Sequence, residues 1–334
     1  MYILYCCNDN YCPYTGISII SLFENNKHLS EIIVYVCVLD ISDDNRLKFN
    51  LISSEYKREI IIVDAKEIDD ELNSGPINSY FGNKATFYHV FFERFFPNNV
   101  KRILYIDSDT IITGKLDEIN EFQFSAGKAC AMIRERVFEG YNSLIGLNES
   151  DDYFNAGIIL YDTDNWKELN CNERLMEGIN NGNANYYLAD QDLLCLTINE
   201  NIQVLPFKYN VHSLWLSIGI KNLYYFFDVD ERNLYSLNEI YDALKNPVIL
   251  HCSRSISGAP WEKGNKNPFK DEWVIYKNIS PWKNLKETKI KRSFRGGIMW
   301  LIFNFMPRYF YVRIFKAVNK KSIIKRLQIN NNKK

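Results

Sequence analysis

The sequence contains no long apolar run. Its longest stretch of apolar residues, 32–39, is far shorter than the ~18 residues that a membrane-spanning helix requires. No basic segment precedes the apolar start Tyr2-Ile3-Leu4, and a secretory signal peptide needs one. We therefore expect neither a transmembrane helix nor a signal peptide.

Paired cysteine spacings that would indicate a metal site are also missing. The eight cysteines lie mostly in apolar runs, and Cys6 and Cys7 are adjacent, which is typical of small core residues. Because free cysteines are usual where thiols stay reduced, they indicate a cytoplasmic protein. No repeat period and no low-complexity linker occurs before residue 283, so we expect one continuous body up to that point.

Acidic residues are almost absent from the end of the chain. Residues 283–334 hold 15 basic residues and one acidic residue, Glu287, and therefore carry +14. The remaining 25 basic and 40 acidic residues give residues 1–282 a charge of −15, and the total of −1 is a cancellation. Such asymmetry indicates an acidic globular body followed by a basic segment for an anionic surface.

The body has the composition of a folded α/β protein. Hydrophobic residues make up 46% of the chain and aromatic residues 15%, which excludes general disorder. Apolar β-branched runs alternate with helical patterns, and this alternation predicts βαβ units around a parallel sheet. Ligands of such sheets bind at the carboxyl ends of the strands. The predicted strands are 2–7, 31–39, 59–63, 102–106, 156–161 and 247–250, and the predicted helices are 17–26, 42–54, 86–96 and 190–199.

Two aspartates follow the predicted strand 102–106 directly, as Asp107-Ser108-Asp109. Residues i and i+2 of an extended segment project from the same face, so the two carboxylates repel each other unless a cation lies between them. Oxygen ligands of this kind suit Mg²⁺ or Mn²⁺. From the triplet alone, two other interpretations stay open. One is a turn in which an aspartate caps a backbone N–H; the other is the nucleophilic element of haloacid-dehalogenase-like phosphatases, with Ile111 in the fifth position.

A series of short motifs resembles one family of enzymes. In chain order they are Asn8-Asp9-Asn10-Tyr11, Ile106-Asp107-Ser108-Asp109-Thr110, Tyr153-Phe154-Asn155-Ala156-Gly157, Asp190-Gln191-Asp192, and Leu250-His251 with Pro260-Trp261. Together they resemble glycosyltransferase family 8, the retaining nucleotide-sugar transferases that include lipopolysaccharide galactosyltransferases and glycogenin. The resemblance runs from residue 1 to about residue 265. It implies a glycosyltransferase-A-type, Rossmann-like α/β fold with a mostly parallel sheet flanked by helices.

The resemblance implies a metal site and a nucleotide site. Asp107 and Asp109 match the family's metal-binding Asp-x-Asp, and His251 matches the third protein ligand of Mn²⁺ or Mg²⁺. Such an ion bridges the donor diphosphate and neutralises the charge that builds on the leaving UDP. Tyr11 is implied to stack on uracil. The full set of implied nucleotide-binding residues is Asn8, Asp9, Asn10, Tyr11, Asp107 and Ser108.

Further matches lie at donor-sugar positions, which the resemblance assigns to His89, Asn155, Asp190 and Gln191. Asp190 is implied to accept hydrogen bonds from sugar hydroxyls, and Gln191 to lie opposite the leaving group. Because Gln is a poorer nucleophile than the carboxylate of retaining glycosidases, we favour a same-face, dissociative displacement with Asp190 and Gln191 as the catalytic residues. Asp192 is interpreted as a helix N-terminal charge favoured by the helix dipole.

Three positions depart from the family's pattern. His89 stands where the family commonly has an Arg, and it can donate a hydrogen bond but no bidentate fork. Met132 stands where some members place a sugar-binding Asp, which implies an unmade hydroxyl contact or a different sugar. Ala259 stands where a phosphate-binding Lys is expected. The diphosphate contacts are therefore assigned to Arg254, Gly258 and Lys263.

The basic segment has an amphipathic pattern. An apolar run at 298–303 is followed by Pro307, and beyond it Phe310 and Ile314 share one predicted helical face opposite Arg313. This layout is typical of a helix lying in a membrane interface, where Trp300, Tyr309 and Tyr311 would suit the headgroup level. Nucleic acid gives no reason for an apolar face, so we expect no nucleic-acid partner. A C-terminal helix packed on the body stays an alternative.

The sequence thus predicts a nucleotide-sugar-binding catalytic domain over 1–282 and a membrane-association tail over 283–334. The expected reaction is retaining transfer of a hexose, galactose or glucose, from a UDP-sugar to a saccharide acceptor, on a lipid-linked bacterial surface glycan or lipopolysaccharide precursor. The expected location is the cytoplasmic face of the inner membrane. The alternative is a catalytically weak, membrane-bound relative that binds UDP-sugar or acts as a scaffold, and the phosphatase interpretation ranks third.

Overall fold

The protein is described by a computed structural model that covers residues 1–74, 77, 84–290 and 292–331. Among these residues, ten strands form a seven-stranded sheet of order β3-β2-β1-β4-β7-β6-β8 and a three-stranded sheet of order β5-β10-β9. The strands are β1 Tyr2–Asn8, β2 Ile33–Leu39, β3 Ile60–Asp64, β4 Arg102–Ile106, β5 Thr110–Ile112, β6 Cys130–Glu135, β7 Tyr153–Asp162, β8 Ile202–Val204, β9 Val211–His212 and β10 Ile249–His251.

Helices flank the large sheet. The α-helices are α1 Cys12–Asn25, α2 Asp43–Tyr56, α3 Lys66–Ser74, α4 Asp117–Asn120, α5 Tyr141–Ile145, α6 Thr163–Glu168, α7 Cys171–Asn180, α8 Ala189–Ile198, α9 Ser213–Ile218, α10 Leu223–Phe227, α11 Leu237–Lys245, α12 Lys270–Asn278, α13 Phe294–Phe305 and α14 Arg308–Asn331. Segments of 3₁₀ helix are Asp9–Tyr11, Ala85–Arg94, Asn183–Asn185, Asn199–Asn201, Phe207–Tyr209, Ile220–Asn222 and Glu231–Asn233.

The prediction of a mostly parallel sheet is confirmed. In the large sheet only β7 runs antiparallel to its neighbours β4 and β6, whereas the other pairs are parallel. The five central residues of β1 and of β2 are buried, because helices cover both faces of the sheet. The eight cysteines are all buried and free, as expected of small core residues.

One predicted helix is wrong in type. Residues 86–96 were expected to be α-helical, but Ala85–Arg94 is a 3₁₀ segment with non-helical backbone angles at Phe91. Six consecutive side chains, from Phe87 to Phe92, are buried. An α-helix on the surface would expose part of such a run, so burial on every side accounts for the irregular, tighter backbone.

The topology gathers several segment ends at one edge of the large sheet. The carboxyl ends of β1, β4 and β6 lie there because these strands are parallel, and the antiparallel strand β7 begins there. The small sheet adds β10, which ends at His251 and pairs with β5 directly after Asp109. This edge therefore collects most of the predicted site residues.

The basic tail is helical and packs on the body. Met299 and Phe303 of α13 are buried. The buried residues of α14 are Tyr311, Val312, Ile323 and Leu327. No described helix has the length and apolarity that crossing a bilayer would need. Division into units 1–282 and 283–334 stays a prediction, and Lys291 and residues 332–334 lie outside the described part of the chain.

Candidate active site

Three predicted metal ligands lie together. The ligand atoms of Asp107, Asp109 and His251 are all within 4.8 Å of one another. His251 Nε2 lies 3.1 Å from Asp109 Oδ1 and 3.7 Å from Asp107 Oδ2. Two carboxylates and one imidazole form a donor set that suits Mn²⁺ and Mg²⁺ better than soft metals. Within the described residues, these three side chains are the group that fits the cation implied by the sequence.

The charges at this cluster are strongly coupled. Burial raises the pKa of Asp107 to about 7. Burial alone would lower the pKa of His251, but the carboxylates of Asp109 and Asp107 outweigh it and raise that pKa to about 9. Burial disfavours charge on Asp109 too, yet the adjacent His251 holds its pKa below the ordinary value. The two carboxylates therefore favour a positive charge beside them.

Gly157 explains how the cluster is packed. Its carbonyl accepts a hydrogen bond from the Asp107 N–H at 2.8 Å. A Cβ atom at this position would lie 2.6 Å from His251 Cε1 and 2.9 Å from Asp107 Oδ2. The Asn-Ala-Gly motif therefore ends in glycine because β7 passes directly beneath two of the proposed ligands.

A chain of amides connects the cluster to the donor-sugar positions. His251 Nδ1 lies 2.9 Å from Asn210 Oδ1, and Asn210 Nδ2 donates to Asn155 Oδ1 at 2.8 Å. Since an amide oxygen only accepts, His251 Nδ1 carries a proton in this contact, and Nε2 faces the aspartates. Asn155 also accepts from the Gly157 N–H at 2.9 Å. Asn210 thus orients a predicted ligand, as residues behind a metal site typically do.

Gln191 is held by three groups. Its Oε1 accepts hydrogen bonds from Asn155 Nδ2 at 3.1 Å and from the Ala156 N–H at 3.2 Å. Its Nε2 donates to Glu135 Oε2 at 3.0 Å, and Asn155 Nδ2 donates to the same oxygen at 2.9 Å. Both ends of the Gln191 amide are therefore fixed. Ala189, two residues earlier, has a left-handed φ of 49°, so the chain turns sharply just before Asp190 and Gln191.

His89 contacts Asp190. The His89 side chain is fully buried, and its Nε2 atom lies 3.1 Å from Asp190 Oδ2. Its Nδ1 lies 2.7 Å from the Tyr161 hydroxyl, and its ring stacks on Tyr105. His89 thus lies next to Asp190, one of the predicted donor-sugar residues, and has no exposed surface of its own. Direct contact between His89 and the donor sugar stays a prediction.

Asp192 is more than a charge in the first turn of α8. It is fully buried, and its carboxylate accepts hydrogen bonds from the hydroxyls of Tyr141 and Tyr153 and from the Leu188 N–H. Burial raises its pKa to about 6. The hydrogen bond from Leu188 to Asp192 connects the two sides of the turn at Ala189.

The predicted nucleotide loop follows β1. Asn8 Oδ1 accepts from the Tyr11 N–H at 3.2 Å, and Asp9 accepts three hydrogen bonds from Ser42 and Asn45. Tyr11 and Asn10 remain exposed at this edge. Tyr11 makes an edge contact with Tyr14, which stacks on Trp261. Asn8 and Asp9 thus shape the loop, and Tyr11 presents a ring on an aromatic platform.

Ser108 lies between the two aspartates but faces the interior. Its hydroxyl accepts from Thr15 Oγ1 at 2.8 Å and donates to the Cys6 carbonyl at 3.3 Å. It connects β4 to α1 and β1. Binding of the nucleotide by Ser108 stays a prediction.

The proposed diphosphate residues lie in the loop after β10. Arg254 is largely exposed and pairs with the buried carboxylate of Glu262. Glu262 also accepts from the Ala259 N–H at 2.9 Å. Gly258 has a φ of 83°, which disfavours a side chain. Lys263 is exposed, and its backbone N–H donates to the Thr288 carbonyl.

Two residues of the site were missed by the sequence analysis. Glu135 ends β6 and Asn210 precedes β9. The signal for Glu135 was a charged residue at the end of an apolar strand, where ligands of α/β sheets bind. Asn210 carried no comparable signal, because only its distant partners His251 and Asn155 reveal its role.

Comparison with known proteins agrees with this geometry. The sequence profile of Glycosyl transferase family 8 matches residues 2–263. The chain is 22% identical over 301 residues to General stress protein A of Bacillus subtilis, covering 87% of this chain and 98% of that one. It is 24% identical over 304 residues to the lipopolysaccharide glucosyltransferase WaaO of Escherichia coli, covering 87% of this chain and 81% of that one.

A solved structure shares the fold. The galactosyltransferase LgtC, in complex with donor and acceptor sugar analogues, superposes with a TM-score of 0.68 at 18% identity, covering 89% of this chain and 99% of that one. The profile match spans well over half of the sequence and includes all three members of the Asp-Asp-His cluster. The chain therefore belongs to glycosyl transferase family 8 and has the glycosyltransferase-A fold.

Proposed function

We propose that the protein is a metal-dependent, retaining hexosyltransferase that moves glucose or galactose from a UDP-sugar to a saccharide acceptor. The observation that carries the proposal is the Asp107-Asp109-His251 cluster, placed at the sheet edge next to Asn155, Asp190 and Gln191. Lipopolysaccharide glycosyltransferases among the relatives support a lipid-linked acceptor. The family match does not favour a phosphatase.

In the proposed complex, Asp107, Asp109 and His251 hold Mn²⁺ or Mg²⁺. When bound, the ion neutralises charge on the diphosphate of the leaving UDP. Tyr11 stacks on the uracil. Arg254 is favoured over Lys263 as the cation for the diphosphate, because Glu262 anchors it and its charge acts on Tyr11 and Tyr14 of the nucleotide platform.

The sugar lies against Asn155, Asp190 and Gln191 in this proposal. Asp190 accepts hydroxyl hydrogen bonds, and its orientation is held by His89. The amide of Gln191 stabilises the oxocarbenium-like centre electrostatically, on the face opposite UDP. The acceptor then enters from the side that UDP leaves, and a diphosphate oxygen takes its proton, so the configuration is retained.

The proposal is tested by equilibrium binding of UDP, UDP-glucose and UDP-galactose with and without Mn²⁺. Asp109→Ala should abolish the Mn²⁺-dependent part of UDP binding, whereas Asp164→Ala, an exposed aspartate paired with Lys101, should leave it unchanged. Wild-type protein that binds no UDP in Mn²⁺ overturns the proposal. Tight binding without any release of sugar from either donor would instead identify a catalytically weak, UDP-sugar-binding relative.

We also propose that the tail places the protein on an anionic membrane. Exposed apolar side chains, here called the apolar ridge, recur at helical spacing on α13 and again on α14. The ridge consists of Phe294, Ile298, Leu301, Phe305, Phe310 and Ile314, which are 36% to 86% exposed. Arg295 and Lys321, on the same two helices, are exposed basic residues.

An anionic lipid surface fits both the apolar ridge and the basic residues of the tail. An interfacial helix inserts its apolar face below the headgroups, and each basic residue near an anionic leaflet contributes about 1 kcal/mol. Tyr311, which had been expected at the headgroup level, is fully buried against Phe303 and Phe315. Tyr309 is exposed and keeps its assignment to the headgroup level.

A further inference from the structure

Glu135 lies in the donor-sugar site although its position matches none of the motifs. It is the last residue of β6 and is partly buried. Its Oε2 atom accepts from Asn155 Nδ2 at 2.9 Å and from Gln191 Nε2 at 3.0 Å. A charged acceptor that takes two amide donors makes stronger hydrogen bonds than a neutral one would.

These contacts determine the orientation of the Gln191 amide. The Ala156 N–H donates to Gln191 Oε1, and Glu135 accepts from Nε2. The flipped amide would place its N–H₂ group against the Ala156 N–H and its oxygen against a carboxylate. Both contacts would then be repulsive, so Glu135 and Ala156 together fix one orientation.

The second carboxylate oxygen of Glu135 is available. Among the hydrogen bonds of the described residues, none reaches Oε1, and the side chain retains exposed surface. Solvent reaches this oxygen, so a ligand hydroxyl can take the place of a water molecule there. Met132, on the same strand, is completely buried and apolar and offers no polar contact.

We propose that Glu135 is a sugar-binding residue that also positions Gln191: Oε2 holds the Gln191 amide, while Oε1 accepts a hydrogen bond from a hydroxyl of a neutral donor hexose. This inference rests on the proposed function and specifies its donor-sugar contacts.

Glu135→Gln separates the two roles. The carbonyl oxygen of the new side chain replaces Oε2 and keeps the Gln191 amide in place, whereas its N–H₂ group replaces the free acceptor. Hydrolysis of UDP-glucose and of UDP-galactose is measured with Mn²⁺ present. For whichever of the two is the preferred donor, the KM should rise about tenfold or more. Affinity for UDP alone should be unchanged, which also shows that the site is folded.

Glu135→Leu removes both roles. The Gln191 amide then loses its partner on Nε2, so kcat should fall at least about tenfold below that of Glu135→Gln, in addition to the rise in KM. The matched control is Glu139→Gln, the same substitution at an exposed position four residues along the chain, which should behave as wild type.

The outcomes separate this inference from the proposed function. Wild-type KM for both donors in Glu135→Gln overturns the sugar contact. Equal kcat values for the Gln and Leu variants overturn the positioning role. Failure of the wild-type protein to bind UDP or either UDP-hexose in Mn²⁺ overturns the proposed function, and this inference with it.

Discussion

His251 Nδ1 lies 2.9 Å from Asn210 Oδ1, and this contact determines which nitrogen of His251 faces Asp107 and Asp109. Because Asn210 is itself held by Asn155, the imidazole cannot easily rotate. Residues behind a metal ligand typically contribute 10–100-fold to metal affinity. Removing the Asn210 side chain therefore tests the proposed metal site directly.

Asn210→Ala should weaken Mn²⁺ binding roughly 10–100-fold, because His251 loses the acceptor that sets its tautomer and ring orientation. Isothermal titration calorimetry with Mn²⁺ measures the change. Asn180→Ala, an exposed asparagine at the end of α7, is the control. Identical Mn²⁺ affinities for wild type and Asn210→Ala would contradict this role.

Gly157→Ala should disrupt the proposed metal site by steric overlap alone. The added methyl group would lie 2.6 Å from His251 Cε1 and 2.9 Å from Asp107 Oδ2, so two ligands must move. Overpacking of this kind costs about 1–3 kcal/mol of stability, and Mn²⁺ binding should be lost. Calorimetry and thermal melting measure both effects. The control is Gly297→Ala, where no neighbouring atom lies within 4 Å of the new Cβ, and this variant should retain Mn²⁺ binding. Retained Mn²⁺ binding in Gly157→Ala would refute the close packing of Gly157 against His251 and Asp107.

His89→Phe should reduce turnover while leaving UDP binding intact. Phenylalanine preserves the stacking on Tyr105 but removes the nitrogen that holds Asp190 and leaves the Tyr161 hydroxyl without its partner. We expect kcat for UDP-hexose hydrolysis to fall roughly 10–100-fold, equivalent to a loss of about 1.5–3 kcal/mol.

His28 offers a matched control for that substitution. His28 also contacts an aspartate, Asp117, but at the surface, where the two side chains are 37% and 43% exposed. His28→Phe should leave both kcat and UDP affinity unchanged. A kcat of His89→Phe equal to that of His28→Phe would show that the His89–Asp190 contact has no role in turnover.

The buried carboxylate of Asp192 should make stability depend on pH. Burial raises its pKa to about 6 from an ordinary value of 3.8, so the folded state binds the proton more tightly than the unfolded state. The resulting stabilisation is fully present below about pH 4 and is lost as pH rises through about 6, by roughly 2–3 kcal/mol. Asp192→Asn should lack this decline. Urea unfolding from pH 4 to 7 measures it, and parallel curves for the two proteins would contradict the prediction.

The apolar ridge should be needed for membrane binding. Phe294→Glu combined with Phe305→Glu places charges on its two most exposed residues without touching the packed face of the tail. This variant should no longer sediment with phosphatidylglycerol vesicles, whereas wild-type protein should. Leu47→Glu with Leu51→Glu, at exposed leucines of α2, is the control.

Salt and lipid charge refine the membrane prediction. Raising the ionic strength should release wild-type protein from the vesicles while affecting Mn²⁺-dependent UDP binding little, because exposed charges are screened more than buried ones. Phosphatidylcholine vesicles should bind it weakly. Equal sedimentation of the ridge variant and the control variant would refute the proposed surface.

Much of the framework could be predicted from the chain itself. Alternating strands and helices indicated the α/β fold, and the Asp-x-Asp after an apolar strand indicated ligands at a sheet edge. The strands at 2–7 and 102–106 agree with β1 and β4 to within one residue. Prediction failed for 86–96, because a run buried on every side does not carry the periodicity of a surface helix.

Tertiary contacts account for what the sequence left open. Glu135 and Gln191 are separated by 56 residues, and His251 and Asn210 by 41. No local pattern links such pairs, since hydrogen bonding depends on distances and orientations that exist only after the strands have assembled.

The sequence by itself determined the chemistry that is available: two carboxylates and a histidine able to bind a divalent cation, a row of polar residues after strands, and a basic amphipathic end. Residue type and local period suffice for these features. Only the tertiary structure decided that His89 holds Asp190, that Glu135 joins Gln191, and that Tyr311 turns inward. These outcomes depend on packing, because burial and partner geometry are properties of the assembled sheet and helices rather than of any one segment.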